Sequence, residues 1–174
     1  APPIRMFNAG FGIWALAGDT DTAFFDTHGL DALATPLIGD RGVRLAAIAA
    51  ALADAAHNRA TATVLAGVPS GWRNVVSGNQ HKTFRDDDGT EHRVSYRFTR
   101  TGVSLPDDPA VTVDSVNTHE VVLAESGVAT AFVISRHGDQ VYVDSARGSV
   151  ALTAVPRFPE PGSVVEKGSL LAPM

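Results

Sequence analysis

The first half of the chain contains a hydrophobic pattern typical of a helix. Over residues 41–57, eight alanines surround three larger apolar residues at helical spacing, namely Leu45, Ile48 and Leu52. Alanine and leucine are the strongest helix formers, and Asp40 stands where a helix N-cap is expected. The sequence therefore predicts a helix over about 41–57.

This predicted helix is apolar nearly all round, because alanine occupies the face on which a surface helix would carry charges. Such a helix is normally surrounded by protein, and its thin side chains imply close neighbours on several sides. A sheet that curls around the helix meets this requirement. The alternative is an alanine-rich helix that lies on one face of a sheet.

From about Gln80 the pattern changes to that of strands. Apolar residues at 94, 96 and 98 alternate with polar ones, which is typical of a half-buried strand. Similar short segments follow at regular spacing and are separated by turn residues, at 111–116, 120–124, 129–135, 140–144 and 150–154. This spacing predicts an antiparallel meander that closes into a sandwich or barrel.

Together the two patterns predict an α+β fold, an antiparallel β-barrel of about seven to eight strands wrapped around a long central Ala-rich helix. With 174 residues, of which 44% are hydrophobic, the chain is long enough to bury one core. The only apolar run near the start, Ile13 to Ala17, is too short for a membrane span. These features predict a cytoplasmic protein with no membrane partner.

Charge and cysteine content exclude several classes of function. The net charge is −5 and no run of five basic residues occurs, so nucleic acid is not an expected partner. The charge is uneven: residues 71–100 hold six Arg or Lys against four acids, and residues 101–174 hold four against nine. A slightly basic patch on an acidic domain can steer an acidic protein partner. The absence of cysteine excludes disulfides and thiolate sites, and suits a reducing compartment.

Candidate chemistry is sparse. The six histidines have no spacing typical of a metal site, so a shared site would require distant residues to converge. Asp86-Asp87-Asp88-Gly89 lacks the ligand pattern of a calcium loop and is better interpreted as a hairpin tip. Ser70 lacks the context of a nucleophile elbow. The sequence predicts no catalytic, cofactor-binding or metal-binding residues.

Four motifs carry a resemblance to a known family. They are Pro69-Ser70-Gly71-Trp72-Arg73-Asn74, Tyr96-Arg97-Phe98, Val141-Tyr142-Val143-Asp144 and Pro156-Arg157-Phe158-Pro159. In this order the chain resembles the linker, or BT, domain of the biotin-bearing alpha subunit of actinobacterial-type acyl-CoA carboxylases. That domain lies between the biotin carboxylase and biotin-carrier domains, and the family's fold is similar to the barrel predicted above.

The flanking segments resemble the neighbouring domains of the same subunit. Residues 1–40 form a leader in which Asp21 to Leu30 resemble the tail of the biotin carboxylase domain, although residues 1–17 match poorly and are either divergent or foreign to it. Residues 156–174 resemble the linker into the biotin-carrier domain. The acceptor motif Ala-Met-Lys-Met does not occur, so this chain is not expected to carry biotin.

The resemblance implies a function for residues 41–155, the predicted helix-in-barrel docking domain. It implies a non-catalytic module that joins the alpha subunit to the carboxyltransferase beta subunit through a hook loop at about 60–90. The implied interface residues are Trp72, Arg73, Asn74, His81 and Phe84. Trp72 has the alternative role of plugging the open end of the barrel.

The parent implied by the resemblance is an ATP-dependent, biotin-dependent acyl-CoA carboxylase of the propionyl-CoA or 3-methylcrotonyl-CoA type. Biotin and ATP with Mg would then act in other domains, with no cofactor in this fragment. The alternative from another class is a small ligand-binding or hydrolytic β-barrel protein with its site at the mouth, near His92 or His137. Such a barrel requires a hollow interior.

Overall fold

An antiparallel sheet and one helix make up most of the regular structure in the computed structural model, which describes residues 23, 26–27, 38–68, 70–71, 73–75 and 78–158. The helix α1 covers Asp40–Ala60. Eight strands follow it: β1 (Gln80–Asp86), β2 (Glu91–Thr99), β3 (Gly102–Ser104), β4 (Val111–Val116), β5 (Glu120–Glu125), β6 (Val128–His137), β7 (Gln140–Ser145) and β8 (Gly148–Val155).

The eight strands form one sheet in the order β3-β2-β1-β8-β7-β6-β5-β4, and every neighbouring pair is antiparallel. The edge strands β3 and β4 contact each other, so the sheet is a nearly closed barrel. Tight turns join the two strands of several hairpins. At the β5–β6 turn, Ser126 and Gly127 both have positive φ, at 52° and 80°, as a two-residue type I′ turn requires. The predicted strand number and antiparallel pairing are confirmed.

Helix α1 packs against β2 and against β4 to β8. Its residues 45–55 are all buried, and most of them have no exposed surface. The prediction of a long central helix was wrong in length: α1 has 21 residues, and strands make up most of the regular structure. Because burial extends around the whole circumference of this segment, the alternative of a helix lying on one sheet face does not describe the structure.

The start of α1 also differs from the prediction. Asp40 is the first helical residue and not the N-cap; Gly39 occupies the N-cap position, and no side chain caps the first turn. Asp40 still favours the helix, because a carboxylate in the first turn interacts well with the helix dipole. The last turn carries His57 and Arg59, which complement the opposite end of the dipole.

The inward-facing residues of the barrel complete the core around α1. They include Phe84, Val94, Tyr96, Val121, Leu123, Phe132, Ile134, Val141, Val143 and Leu152, each at most 4% exposed. The interior cavity found beside the start of α1, which is lined in part by Leu45 and Phe132, has a volume of only about 10 Å³. That is room for one water molecule at most. Residues 45–55 of α1 and the inward-facing strand residues are all buried, so the helix and the strands fill the barrel.

The thin alanine surface of α1 allows this close fit, and it makes a testable prediction. Ala50→Leu should lower the free energy of unfolding by about 1–3 kcal/mol, because a larger side chain at a fully buried position forces the barrel strands outward. Urea denaturation measures the change. Ala60→Leu is the matched control: Ala60 is exposed at the end of the same helix, and its change should stay within about 0.5 kcal/mol. Equal effects at the two positions would contradict the tight fit.

Candidate functional site

A buried carboxylate lies in the second half of α1. Asp54 is 3% exposed, and its two oxygens contact two cations: Lys82 Nζ at Oδ2 and Arg136 Nη1 at Oδ1. Asn58, one turn later, donates a 3.4 Å hydrogen bond from Nδ2 to Oδ2. Lys82 belongs to β1 and Arg136 to β6, which two other strands separate in the sheet. The Asp54 cluster therefore fixes the helix to two distant parts of the barrel wall.

Burial by itself raises the pKa of the Asp54 carboxyl group. The hydrogen bond and charge of Lys82, together with Arg136, outweigh burial, so the pKa lies below its ordinary value and Asp54 is charged at neutral pH. Burial, and to a smaller extent the charge of Asp54, raise the pKa of Tyr96 to about 12. This environment keeps a buried carboxylate ionised and a nearby phenol neutral, which suits structural fixation and not proton transfer at neutral pH.

A second cluster fixes the other end of the helix. Asp108, which is 7% exposed in the connection between β3 and β4, accepts hydrogen bonds from Arg41 Nη1 at 2.7 Å and from Arg44 Nη2 at 2.6 Å. Arg41 also forms an ion pair with Glu125 at the end of β5. Burial by itself raises the pKa of Asp108, but the hydrogen bonds and charges of Arg44 and Arg41 outweigh burial, so the pKa lies below its ordinary value. Because Asp108 lies between the two edge strands, this cluster links the seam of the barrel to α1.

The segment between α1 and β1, residues 61–79, is called here the α1–β1 loop. Arg59 holds its first part, since Nε donates to Ala66 O at 3.1 Å and Nη2 donates to Gly67 O at 3.3 Å. Gln80 holds its second part through a 2.6 Å bond from Nε2 to Ser70 O. Hydrogen bonds to both α1 and β1 therefore shape the described part of this loop.

Gly71 is required where the loop passes β1. Its φ of +74° lies in the left-handed region, and a Cβ atom at this position would come within 2.0 Å of the Gln80 side chain. Both the backbone conformation and the close approach therefore favour glycine. Glycine at this position lets the loop lie directly against Gln80.

The α1–β1 loop exposes aliphatic side chains. Val64, Leu65 and Val75 are 77%, 78% and 73% exposed. Leu65 also has a positive φ of 57°, which is uncommon for a non-glycine residue. Val64 and Leu65 are adjacent in the chain, and contiguous exposed apolar surface is a feature of interaction sites.

A concavity of about 220 Å³ lies between the last turn of α1 and this loop. It is lined by Asn58, Arg59, Ala62, Leu65, Val68, Ser70 and Gly71. Asn58 belongs both to this lining and to the Asp54 cluster. The buried ion cluster and the concavity therefore share one helical turn at the same end of the barrel.

The structure places the five predicted interface residues in different environments. Arg73 and Asn74 are exposed in the α1–β1 loop, and Trp72 lies outside the described residues. His81 is exposed on β1, with Nδ1 3.0 Å from Ser95 Oγ. Phe84 is 1% exposed and belongs to the core around α1. Of the predicted interface residues, Arg73 and Asn74 are therefore exposed on the loop, whereas the side chain of Phe84 faces the inside of the barrel.

Sequence reasoning missed the residues that fix and surround the loop. Asp54 was the available signal: it is a single acid among alanines in a helix that is otherwise apolar, and a buried acid is expected to have a cationic partner. The identities of Lys82 and Arg136 as those partners required the strand pairing. No sequence pattern indicated that Arg59 binds loop carbonyl groups.

The histidines do not form a metal site in the part of the chain that the structure describes, where no group of three or more potential ligands lies together. His92 Nε2 lies 2.8 Å from Asp86 Oδ2, and Asp86 Oδ1 accepts the backbone N–H groups of Asp88 and Thr90. Burial raises the pKa of Asp86, but His92 and these N–H groups lower it below its ordinary value. This arrangement confirms that Asp86 to Gly89 form the tip of the β1–β2 hairpin.

Helix α1 occupies the interior of the barrel, and the α1–β1 loop exposes aliphatic side chains at one end. A ligand-binding barrel instead requires a hollow interior. In the described part of the chain, no helix is both long enough and apolar enough to cross a membrane.

The family profile for the BT domain of the methylcrotonyl-CoA carboxylase alpha-subunit matches residues 43–157. The chain belongs to this family, which confirms the resemblance found in its motifs. The BT domain is a non-catalytic part of the alpha subunit of a biotin-dependent carboxylase. No curated protein matches the chain.

Proposed function

We propose that this domain docks the alpha subunit of a biotin-dependent acyl-CoA carboxylase onto its carboxyltransferase beta subunit, and that the α1–β1 loop makes the contact. The observation that carries the proposal is the exposed group Val64, Leu65 and Val75 on a loop that hydrogen bonds hold against α1 and β1. These hydrogen bonds restrict the described part of the loop before binding, and a segment restricted in this way loses less conformational entropy on binding than a free one.

Docking has a direct consequence for catalysis by the parent enzyme. Biotin must visit a carboxylase site and a carboxyltransferase site that lie on different domains or subunits. A domain that holds the two sites at a fixed span raises the effective concentration of carboxybiotin at the second site. We propose that biotin and ATP with Mg act in the neighbouring biotin-carrier and biotin carboxylase domains, and that the holoenzyme is cytoplasmic.

The family description favours the 3-methylcrotonyl-CoA type of parent over the propionyl-CoA type. The alternative function, a small ligand-binding or hydrolytic barrel, has less support. It needs an open cavity near His92 or His137, whereas the interior is occupied by α1 and His92 is bonded to Asp86 at the hairpin tip.

Substitution in the loop tests the docking role. The triple variant Trp72→Ala, Arg73→Ala, Asn74→Ala, made in the full alpha subunit, should bind the beta subunit roughly 30-fold more weakly or worse, because aromatic and arginine anchors each contribute about 2 kcal/mol or more at an interface. Biolayer interferometry with immobilised beta subunit measures the dissociation constant.

A matched control lies at the other end of the barrel. Arg147→Ala with Ser149→Ala changes exposed residues in and after the β7–β8 turn, close to the start of α1, and should leave the affinity within about twofold. Equal losses in the two variants would refute the loop as the contact. No binding by the wild-type alpha subunit would refute docking altogether.

A further inference from the structure

The surface chemistry of the α1–β1 loop indicates what kind of partner surface it fits, and this inference rests on the docking function proposed above. No aspartate or glutamate occurs between residues 55 and 85, although the whole chain has a net charge of −5. The same segment contains four cations, Arg59, Arg73, Lys82 and Arg85. A segment with cations and no acids is therefore set within an acidic chain.

Two of these cations are already neutralised within the domain. Lys82 forms an ion pair with the buried Asp54, and Arg85 forms a 2.9 Å ion pair with Glu91 across the β1–β2 hairpin. The other two are not. Arg73 is exposed and has no ion pair with a described residue, and Arg59 bonds only to backbone carbonyl groups among the described residues. The uncompensated positive charge therefore lies at the loop.

The concavity adds a shape requirement to this charge. Its volume of about 220 Å³ is lined by aliphatic side chains, including Leu65 and Val68, together with the polar groups of Asn58, Arg59 and Ser70. An apolar side chain of a partner can fill such a space and exclude water from it. Arg59 lies in the wall of the concavity, and its Nη1 makes no hydrogen bond to a described residue. This nitrogen can donate to a partner carboxylate that lies next to the inserted apolar side chain.

We infer that the α1–β1 loop binds a segment of the beta subunit in which an aliphatic side chain enters the concavity and flanking carboxylates face Arg59 and Arg73. Because the remainder of this chain has a net negative charge, an acidic partner surface is attracted more strongly to this loop than to the chain as a whole. The charge pattern therefore orients the encounter, and the concavity determines how long the complex lasts.

Association kinetics between the full alpha subunit and the beta subunit test the two parts separately. The wild-type association rate constant should fall as salt is raised. Arg73→Glu should reduce this rate constant by roughly tenfold at low salt and flatten its salt dependence, because it removes long-range attraction. Arg147→Glu is the matched control, since it makes the same charge change on an exposed arginine near the start of α1. It should reduce the association rate constant by about twofold or less.

Filling the concavity tests the shape requirement. Ala62→Phe and, independently, Val68→Phe should raise the dissociation rate constant by roughly tenfold or more with little change in salt dependence, because each ring occupies the space meant for the partner side chain. Ala62→Ser leaves the space open and should dissociate like the wild type. An unchanged unfolding midpoint shows that a variant is folded. If Ala62→Phe does not fold, Val68→Phe alone provides the test.

The outcomes separate this inference from the docking function. A salt-insensitive wild-type rate, or equal effects of Arg73→Glu and Arg147→Glu, would overturn the acidic partner segment. Unchanged dissociation in the folded Phe variants would overturn the occupied concavity. If Val64→Ser with Leu65→Ser weakens binding in either case, the loop still docks but with another chemistry; if it does not, the proposed docking surface fails as well.

Discussion

Replacing Lys82 and Arg136 together with methionine will lower the free energy of unfolding by about 3–5 kcal/mol near neutral pH, because the buried carboxylate of Asp54 loses both cationic partners. Methionine preserves most of the length of each side chain, so Asp54 stays covered. Asn58 then remains as its only bonded side chain among the described residues, at 3.4 Å. Urea denaturation of the chain measures the loss.

The pH dependence of this loss gives a sharper test. In the wild-type protein the two cations hold the pKa of Asp54 below its ordinary value of 3.8, so the cluster stabilises the fold above that value and its contribution disappears as the pH falls through the lowered pKa. In the double variant burial remains without the cations, so the pKa of Asp54 rises above 3.8. The deficit of the variant should therefore shrink as the pH falls from neutral to about 5.

A surface ion pair provides the control for the Asp54 cluster. Arg85→Met breaks the pair with Glu91, in which both side chains are more than half exposed. Its cost should be at most about 1 kcal/mol, with no shrinkage of the deficit over the same pH range. A double variant at 82 and 136 that behaves like Arg85→Met would show that Asp54 is accessible to water and that the cluster does not fix the helix.

Phe84→Ala will lower the free energy of unfolding by about 3–5 kcal/mol, since the ring is 1% exposed and its removal leaves a cavity in the core that surrounds α1. The resemblance to the family placed Phe84 among the contact residues of the hook loop, whereas in the structure its side chain belongs to the core. Stability, measured by urea denaturation, is therefore the property that this substitution should change.

Phe158→Ala is the matched control for Phe84, because the same atoms are removed from a side chain that is 74% exposed. We expect a change of about 0.5 kcal/mol or less. Phe84→Leu, which retains part of the core volume, should recover much of the stability lost in Phe84→Ala and should bind the beta subunit like the wild type. Loss of binding in a Phe84→Leu variant of wild-type stability would instead show that the ring is itself a contact.

The fold could be predicted from the sequence to a large extent, because its two patterns are local. Alanine with leucine and isoleucine at helical spacing defined α1 to within three residues of its observed bounds. Alternation at period two defined most strands. The short strand β3, with three residues, was missed because it is too short to show an alternating pattern.

The candidate site could be predicted less well, and for a different reason. Arg73 and Asn74 were found through a motif and lie exposed on the loop. A resemblance in sequence order, however, does not show which face of a strand a residue such as Phe84 occupies. The register of β1 with β2 and β8 decides that Phe84 points inward and Arg85 outward. A shift of one residue would exchange the two.

The sequence by itself determined the family, the helix, most of the strands and their antiparallel pairing, and the cationic character of the segment between 55 and 85, since all of these follow from residue order and composition. The tertiary structure decided which charges remain uncompensated. Lys82 and Arg136 are 54 positions apart along the chain, and barrel closure brings both to Asp54. Such neutralisation depends on distances across the fold, and it leaves the positive charge of the proposed docking surface to Arg59 and Arg73.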